Sequence, residues 1–434
     1  MTTTAATEGQ YPTASSYYKS GGIDVWTLFN QAAAKAKAVN LGQGFMNFES
    51  PEFIKKASQK CVADDACNQY SPPRGRPNVL NAIAKRYSRI LDRQLDPASE
   101  IVVTAGANEA IYAIFCAFLE AGSNDEVILM EPAFDQYTPN IKMAGGKPVY
   151  IPLRPVPGSE DASGIVSSKD WTLDMAELEA KISEKTKIIV LNTPHNPIGK
   201  VFTKDELEAI SNLAKKYNLL VISDEVYENL CFDPQTPHIP IATLPGMWER
   251  TLSVYSAGKL FGVTGWRVGW LVGPKELVSP SLTAHTRIVF TTNSPLQEAA
   301  SIALEEADSN GFVKDQKIVY HKCRSKLMKA FDDVGLPYIQ PDGAYFLLVN
   351  ASKVEIPDDF EFPDEIAVRG KSDMLTYFFT THIGVSGIPP TEFYSPENAH
   401  IAENYIRFAF CKTDDILDEA AKRLQAVKKY VRQQ

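Results

Sequence analysis

Lys259 lies in the segment Ser256-Ala257-Gly258-Lys259-Leu260-Phe261-Gly262-Val263-Thr264-Gly265-Trp266-Arg267, directly after the apolar run Thr251–Tyr255. Most lysines are solvated surface charges, but the small residues around this one leave room for a planar ligand. Arg267, eight residues on, can return to the same site as an anion clamp, because a guanidinium offers a rigid fork of donors. Asp224 ends a second apolar run, Leu219–Ser223, and is followed by Glu225, Val226 and Tyr227. An acid at a strand end often does no more than cap a loop. The stretch Asn192-Thr193-Pro194-His195-Asn196-Pro197-Ile198-Gly199 is a turn on its composition alone. In Val103-Thr104-Ala105-Gly106-Ala107-Asn108-Glu109-Ala110 a strand passes through small residues into a helix. The free N–H groups and partial positive charge of such a helix start suit a phosphate. Arg407, within the apolar Tyr405–Phe410, needs a partner, since a buried unpaired charge is costly.

Taken together, these segments resemble the class I and II pyridoxal-phosphate (PLP) aminotransferases. Within that family the chain is most similar to the kynurenine aminotransferases, also called cysteine-S-conjugate β-lyases or glutamine transaminases K. Supporting stretches are Asn40–Phe45, Glu131–Tyr137, Asn192–Phe202, Ser223–Tyr227 and Gly387–Tyr394, and the longer ones resemble the fungal branch. The resemblance runs from about Trp26 to the C-terminal helix.

The resemblance implies that Lys259 carries PLP as a Schiff base and is the catalytic base. By the same comparison Ser256, Arg267, Gly106, Ala107 and Asn108 hold the cofactor phosphate. Asp224 would keep the pyridine nitrogen protonated, Tyr227 and Asn196 would bond the ring's phenolic oxygen, and Phe134 would stack on the ring. Tyr70 matches a tyrosine that reaches the phosphate of a neighbouring subunit, which implies a homodimer. On the substrate side the family implies Arg407 as the grip on the α-carboxylate, with Gly44 and Asn192 beside it. Trp26, Phe290 and Tyr345 would line an aromatic pocket. His195 is expected to take no catalytic part. Ala107-Asn108 stands where some relatives carry Gly-Tyr. The implied reaction moves the amino group of kynurenine, or another aromatic or large neutral amino acid, to a 2-oxo acid such as 2-oxoglutarate. Kynurenine would give kynurenic acid. The alternative on the same scaffold is β-elimination from cysteine conjugates.

Positioning these residues requires a sheet. From about residue 100 to 270 short apolar runs alternate with helical stretches. The expected strands are Ile101–Thr104, Glu126–Leu129, Pro148–Ile151, Lys187–Leu191, Leu219–Ser223, Thr251–Tyr255 and Trp266–Val272. Helices are expected over Glu109–Glu120, Met175–Ile182 and Lys204–Tyr217. Such alternation predicts a mostly parallel sheet covered on both faces, with ligands at the carboxyl ends of its strands. The expected fold class is α/β, and the resemblance makes it PLP transferase fold type I, with a seven-stranded large domain and a small α+β domain. The expected division is an N-terminal arm (1–25), a large PLP-binding domain (51–315), and a small domain from 26–50 and 316–434. Residues between Ile151 and Trp171 are Pro/Ser/Gly/Asp-rich and predict an exposed insertion, centred on 155–170. Short strands are expected at Tyr345–Leu348 and Tyr405–Phe410, and a closing helix at Asp414–Val431.

Composition narrows the rest. The 434 residues carry 44 Lys and Arg against 53 Asp and Glu, for a net charge of −9, so no basic field exists to gather nucleic acid. No apolar run approaches the ~18 residues that cross a bilayer. The Ser/Thr-rich N-terminus lacks the apolar centre of a secretory signal. Six scattered cysteines, without a CxxC pair and without pairing with His at metal-ligand spacing, predict a reduced, metal-free protein of the cytoplasm, with a mitochondrial location left open. Cys116 and Cys231, both in apolar runs, are expected to be buried as small hydrophobes.

Overall fold

The computed structural model describes residues 24–432, so all but the last two residues of the expected arm, 1–25, lie outside the described part. Seven strands form one sheet: β1 (Ile101–Thr104), β2 (Glu126–Glu131), β3 (Lys147–Pro152), β4 (Thr186–Asn192), β5 (Leu220–Asp224), β6 (Thr251–Ser256) and β7 (Gly269–Val272). Their spatial order is β1-β7-β6-β5-β4-β2-β3, and β7 alone runs antiparallel to its neighbours. Alternate residues feed opposite faces. Ile101 and Val103 enter one apolar cluster and Val102 another, while Ile189 and Leu191 oppose Ile188 and Val190. Burial on both faces explains why these strands are uninterrupted apolar runs. Each buried Val, Ile or Leu contributes roughly 1.5–3 kcal/mol.

The strand expected over Trp266–Val272 begins only at Gly269. Trp266 ends a 3-10 turn, and Arg267 is left-handed at φ 54°, a geometry that a ladder does not accept. A smaller sheet holds β8 (Tyr338–Gln340), β9 (Phe346–Asn350) and β10 (Tyr405–Ala409), paired antiparallel in that order. Helices Phe312–Asp332 and Asp414–Leu424 share its core through Tyr320, Leu327, Leu417 and Leu424. The closing helix is regular only to Leu424 and continues as a 3-10 turn over Gln425–Lys429.

The insertion is less exposed than its composition predicts. Val166–Ser167 extends the small sheet parallel to β8, Arg154–Pro155 pairs with Trp171–Thr172, and Trp171 and Ser168 are fully buried. Val166 and Trp171 supply the apolar surface that draws the segment in. Cys231 is buried as expected, whereas Cys116 is exposed. It sits one residue past buried Phe115 on helix Ala107–Phe118, a 100° step that turns it outward. We propose the division into 51–315 and 26–50 with 316–434 on the ground that each part has its own sheet. Val39–Asn40 pairs with Val385–Ser386, tying the N-terminal segment to the C-terminal one.

The two sheets meet at Gly199. Its carbonyl accepts from the N–H groups of Asp342 and Gly343 at 2.9 and 2.7 Å. It has φ 77°, and a Cβ there would fall 2.3 Å from Pro341 Cβ. Gly199→Ala is therefore expected to cost ~1–3 kcal/mol through strain and overlap. The check is a lower midpoint of unfolding in urea.

Candidate active site

The carboxyl ends of four strands converge on one cleft. Thr104 of β1 leads into Gly106 and helix Ala107–Phe118, Asn192 ends β4, Asp224 ends β5, and Ser256 ends β6. The cleft has a cavity volume of about 190 Å³ and is lined by Ala107, Asn108, Phe134, Asn192, Asn196, Asp224, Tyr227, Ser256, Lys259 and Arg267, all expected at the site. Tyr137, Ile111 and Val226 complete the lining and were not expected there.

At one end lies a cradle for an anion. Gly106, at φ 93°, lets the Arg267 guanidinium approach so closely that a Cβ would fall 2.5 Å from its Nη2. Arg267 Nη1 donates to the Thr264 carbonyl at 3.0 Å and Nη2 to the Ala105 carbonyl at 3.3 Å, which hold its exposed head over the helix start. Asn108 faces the cleft with its oxygen already accepting from Asn140 at 2.9 Å.

Asp224 stands across the cleft. Its Oδ2 accepts from the Tyr137 hydroxyl at 2.5 Å and its Oδ1 from the Val226 N–H at 3.3 Å. Burial outweighs both donors and raises its pKa to about 6, so a cationic partner is needed to keep it fully ionised at neutral pH. Burial also pushes the Tyr227 phenol above its ordinary value. Asn192 spends both ends of its amide within the protein. It donates to the Asp224 carbonyl at 3.0 Å and accepts from the Asn196 N–H at 2.8 Å, bracing the turn. His195 lies behind that turn, and burial lowers its pKa to about 3. It is neutral at physiological pH.

Lys259 Nζ donates to the Tyr345 hydroxyl at 2.8 Å and to the Gly44 carbonyl at 3.1 Å. Burial is the main cause that lowers its pKa to about 8. The charges of Arg407 and Arg267 act in the same direction. An amine in this range is partly free base at neutral pH, as a nucleophile or general base requires.

Arg407 is 1% exposed, yet no carboxylate lies within ion-pair distance of it among the described residues. Nη1 donates to Asn196 Oδ1 at 3.1 Å, Nη2 donates to the Gly42 carbonyl at 2.9 Å, and Nε has no partner. The rings of Phe346, Phe393 and Trp26 surround its Cζ at 4.3, 4.8 and 5.2 Å. Trp26 is fixed by its indole N–H on Asp135 Oδ2 at 2.8 Å.

Two expected pocket residues, Tyr345 and Phe290, are placed outside the cleft lining, and Tyr70, expected to reach a neighbouring subunit, lies beside Phe290. Tyr345 is fully buried behind Lys259 rather than in the wall of the cleft, because it stacks on Tyr320 and meets Tyr227 edge-on. Tyr70 and Phe290 pack against each other at 5.3 Å, 84% and 51% exposed, and neither lines the cleft of its own chain. Phe290 also has a positive φ of 67°. The unforeseen Tyr137 follows Phe134 by three residues. That spacing gave no sign that its hydroxyl would reach an acid 87 positions away.

The fold and site together define a class. The signature of the aminotransferase class I and II family matches residues 36–424, and the chain belongs to that family. It is 45% identical to a protein of Saccharomyces cerevisiae named probable kynurenine–oxoglutarate transaminase BNA3, over 94% of this chain and 93% of that one. A kynurenine–oxoglutarate transaminase of Dictyostelium discoideum is 40% identical over 94% and 95%. The crystal structure of Bna3p from Saccharomyces cerevisiae superposes with a TM-score of 0.93 at 43% identity, covering 97% of this chain and all of the other. Among the described residues no helix is long and apolar enough to cross a membrane, and no group of acidic, His and Cys side chains is placed to hold a metal ion.

Proposed function

We propose that this aminotransferase uses PLP to move the amino group of kynurenine, or another aromatic or large neutral amino acid, to a 2-oxo acid such as 2-oxoglutarate. The observation that carries the reading is one cleft with an amine, an acid and an anion cradle, beside a buried arginine that has no acid partner among the described residues. The residues fit the cofactor. Arg267, Ser256 and the helix start behind Gly106 would hold its phosphate, Asp224 its ring nitrogen, Tyr227 and Asn196 its phenolic oxygen, and Phe134 its face. When bound, PLP supplies an electron-withdrawing ring that makes the substrate Cα–H acidic.

The chain's own residues do the rest. Lys259 Nζ takes the proton from the substrate Cα as general base and returns it as general acid. Arg407 grips the α-carboxylate through its terminal nitrogens, and the three rings around it exclude water, which strengthens the grip. Amino donor and 2-oxo acceptor carry the same carboxylate, so they use the same arginine in turn, and ping-pong kinetics are expected. Trp26 offers the flat surface that an aromatic side chain would cover. From kynurenine, the 2-oxo product closes on its own aromatic amine with loss of water to give kynurenic acid. Tyr70, largely exposed beside Phe290, supports a homodimer in which this pair reaches the partner's site. Cytoplasmic action is part of the same reading.

The test is a competition among kynurenine, aromatic amino acids, glutamine and methionine with 2-oxoglutarate. Kynurenine or an aromatic donor should be preferred, with one 2-oxo acid formed per glutamate. Pyruvate and ammonia from a cysteine conjugate, without any 2-oxo acid present and without amino transfer to one, would overturn it.

A further inference from the structure

Four consecutive carbonyls in the segment 42–45 each receive a side-chain donor. Gly42 accepts from Arg407 at 2.9 Å and Gln43 from Lys412 Nζ at 3.1 Å. Gly44 accepts from Lys259 at 3.1 Å and from the Tyr345 hydroxyl at 2.7 Å. Phe45 accepts from Lys412 at 2.6 Å and from the Cys411 thiol at 3.5 Å. Lys412 is almost fully buried and, among the described residues, makes no ion pair, so its charge is spent on holding this strap. The strap has no strand partners over these residues, and the donors take the place of a ladder.

Nζ of Lys259, the Tyr345 oxygen and the Gly44 oxygen close a triangle with sides of 2.8, 2.7 and 3.1 Å. Both acceptors therefore lie on one side of the amine, and its other side faces the cleft. The Tyr345 hydroxyl gives its own proton to Gly44, so toward Lys259 it acts as an acceptor. A neutral amine and an ammonium can both donate into such a pair, and the proton that distinguishes them sits on the cleft side.

We propose that the Gly44 carbonyl and the Tyr345 hydroxyl form a cradle for the Lys259 amine whenever it is not covalently engaged, which makes Tyr345 a positioning residue for the proton transfer. This rests on the reading of Lys259 given above. An amine freed by an incoming amino acid has the four rotatable bonds of the lysine stem as slack, and the cradle removes that freedom while leaving the reactive face open. Gly44 couples the two halves of the site, since the same short strap is fastened to Arg407 at Gly42. Arg407, Arg267, Asp224, Cys411 and Tyr227 also face the amine, and all of them remain when only the Tyr345 hydroxyl is removed.

The test is Tyr345→Phe in the full-length protein. Removing one hydrogen bond from the reacting amine is expected to lower kcat about tenfold. KM and the dissociation constant of PLP should stay within about twofold. A second readout uses the protein stripped of PLP: acylation of Lys259 by acetic anhydride against pH, followed by mass spectrometry of its peptide. The midpoint is expected to move to lower pH in Tyr345→Phe, because the ammonium loses an acceptor. An unchanged kcat or an unmoved midpoint overturns the cradle, as does a fall in kcat fully explained by lost PLP. If no amino donor in the panel reacts with the unaltered enzyme, the reaction reading fails while the acylation midpoint still decides the cradle. Should Tyr345→Phe not fold, Lys412→Met loosens the strap from the other side and must lower kcat with PLP affinity retained. An unchanged kcat there overturns it equally.

Discussion

Lys259→Ala is expected to abolish amino transfer, with kcat down by at least about a thousandfold, in line with the loss of a general acid–base group at the reacting centre. The same variant, mixed with PLP, should lack the visible absorbance band, and borohydride followed by denaturation should leave no cofactor on the protein. Among the described residues no other lysine lines the cleft. Lys200 is fully buried against Glu206 at 2.8 Å, and Lys412 is committed to the Gln43 and Phe45 carbonyls. Neither lines the cleft. A borohydride-stable band in Lys259→Ala would show that another amine carries the cofactor. Stability is expected to hold, since alanine removes a buried group whose charged form the site already disfavours.

The second large effect is expected at Arg407. Two charge-assisted hydrogen bonds to a carboxylate, at ~1.5–3 kcal/mol each, put the rise in KM for Arg407→Leu at roughly a hundredfold or more. Both amino acid and 2-oxo acid should be affected, with the cofactor band unchanged. A structural arginine behaves otherwise. Breaking a buried ion pair by removing one partner typically costs about 3–5 kcal/mol of stability. Among the described residues Arg407 has no acid within reach, so Arg407→Leu breaks no ion pair; the stability it loses is that of leaving the Asn196 and Gly42 oxygens without their donor, ~1–3 kcal/mol each, read as a lower urea midpoint. Weakened stability with unchanged KM would assign the residue to the fold alone. Arg407→Lys should recover only part of the affinity, because an ammonium cannot match both carboxylate oxygens at once.

The linear chain already specified much of this. Apolar runs of four to seven residues separated by helical stretches determined a parallel sheet, and residues directly at the ends of those runs, Asp224, Ser256, Asn192 and Gly106, had to share one edge of it. Lys259, three residues past β6, came with them. These assignments rest on local periodicity and turn chemistry, which a short window of sequence contains. Other features depended on groups far apart in the chain. Tyr345 meets Lys259 across 86 positions and Gly44 meets it across 215, so the hydroxyl that reads as pocket wall becomes the support of the lysine. Asp224 finds Tyr137, Trp26 finds Asp135, and Val166 and Trp171 pull a polar-looking insertion into the smaller sheet. Cys116 turned outward through the phase of its helix, which composition does not encode. Local pattern states which face or end of an element a residue occupies. Which distant element covers that face is decided by packing the whole chain, because the hydrogen bonds and ring contacts involved exist only once both partners are in place.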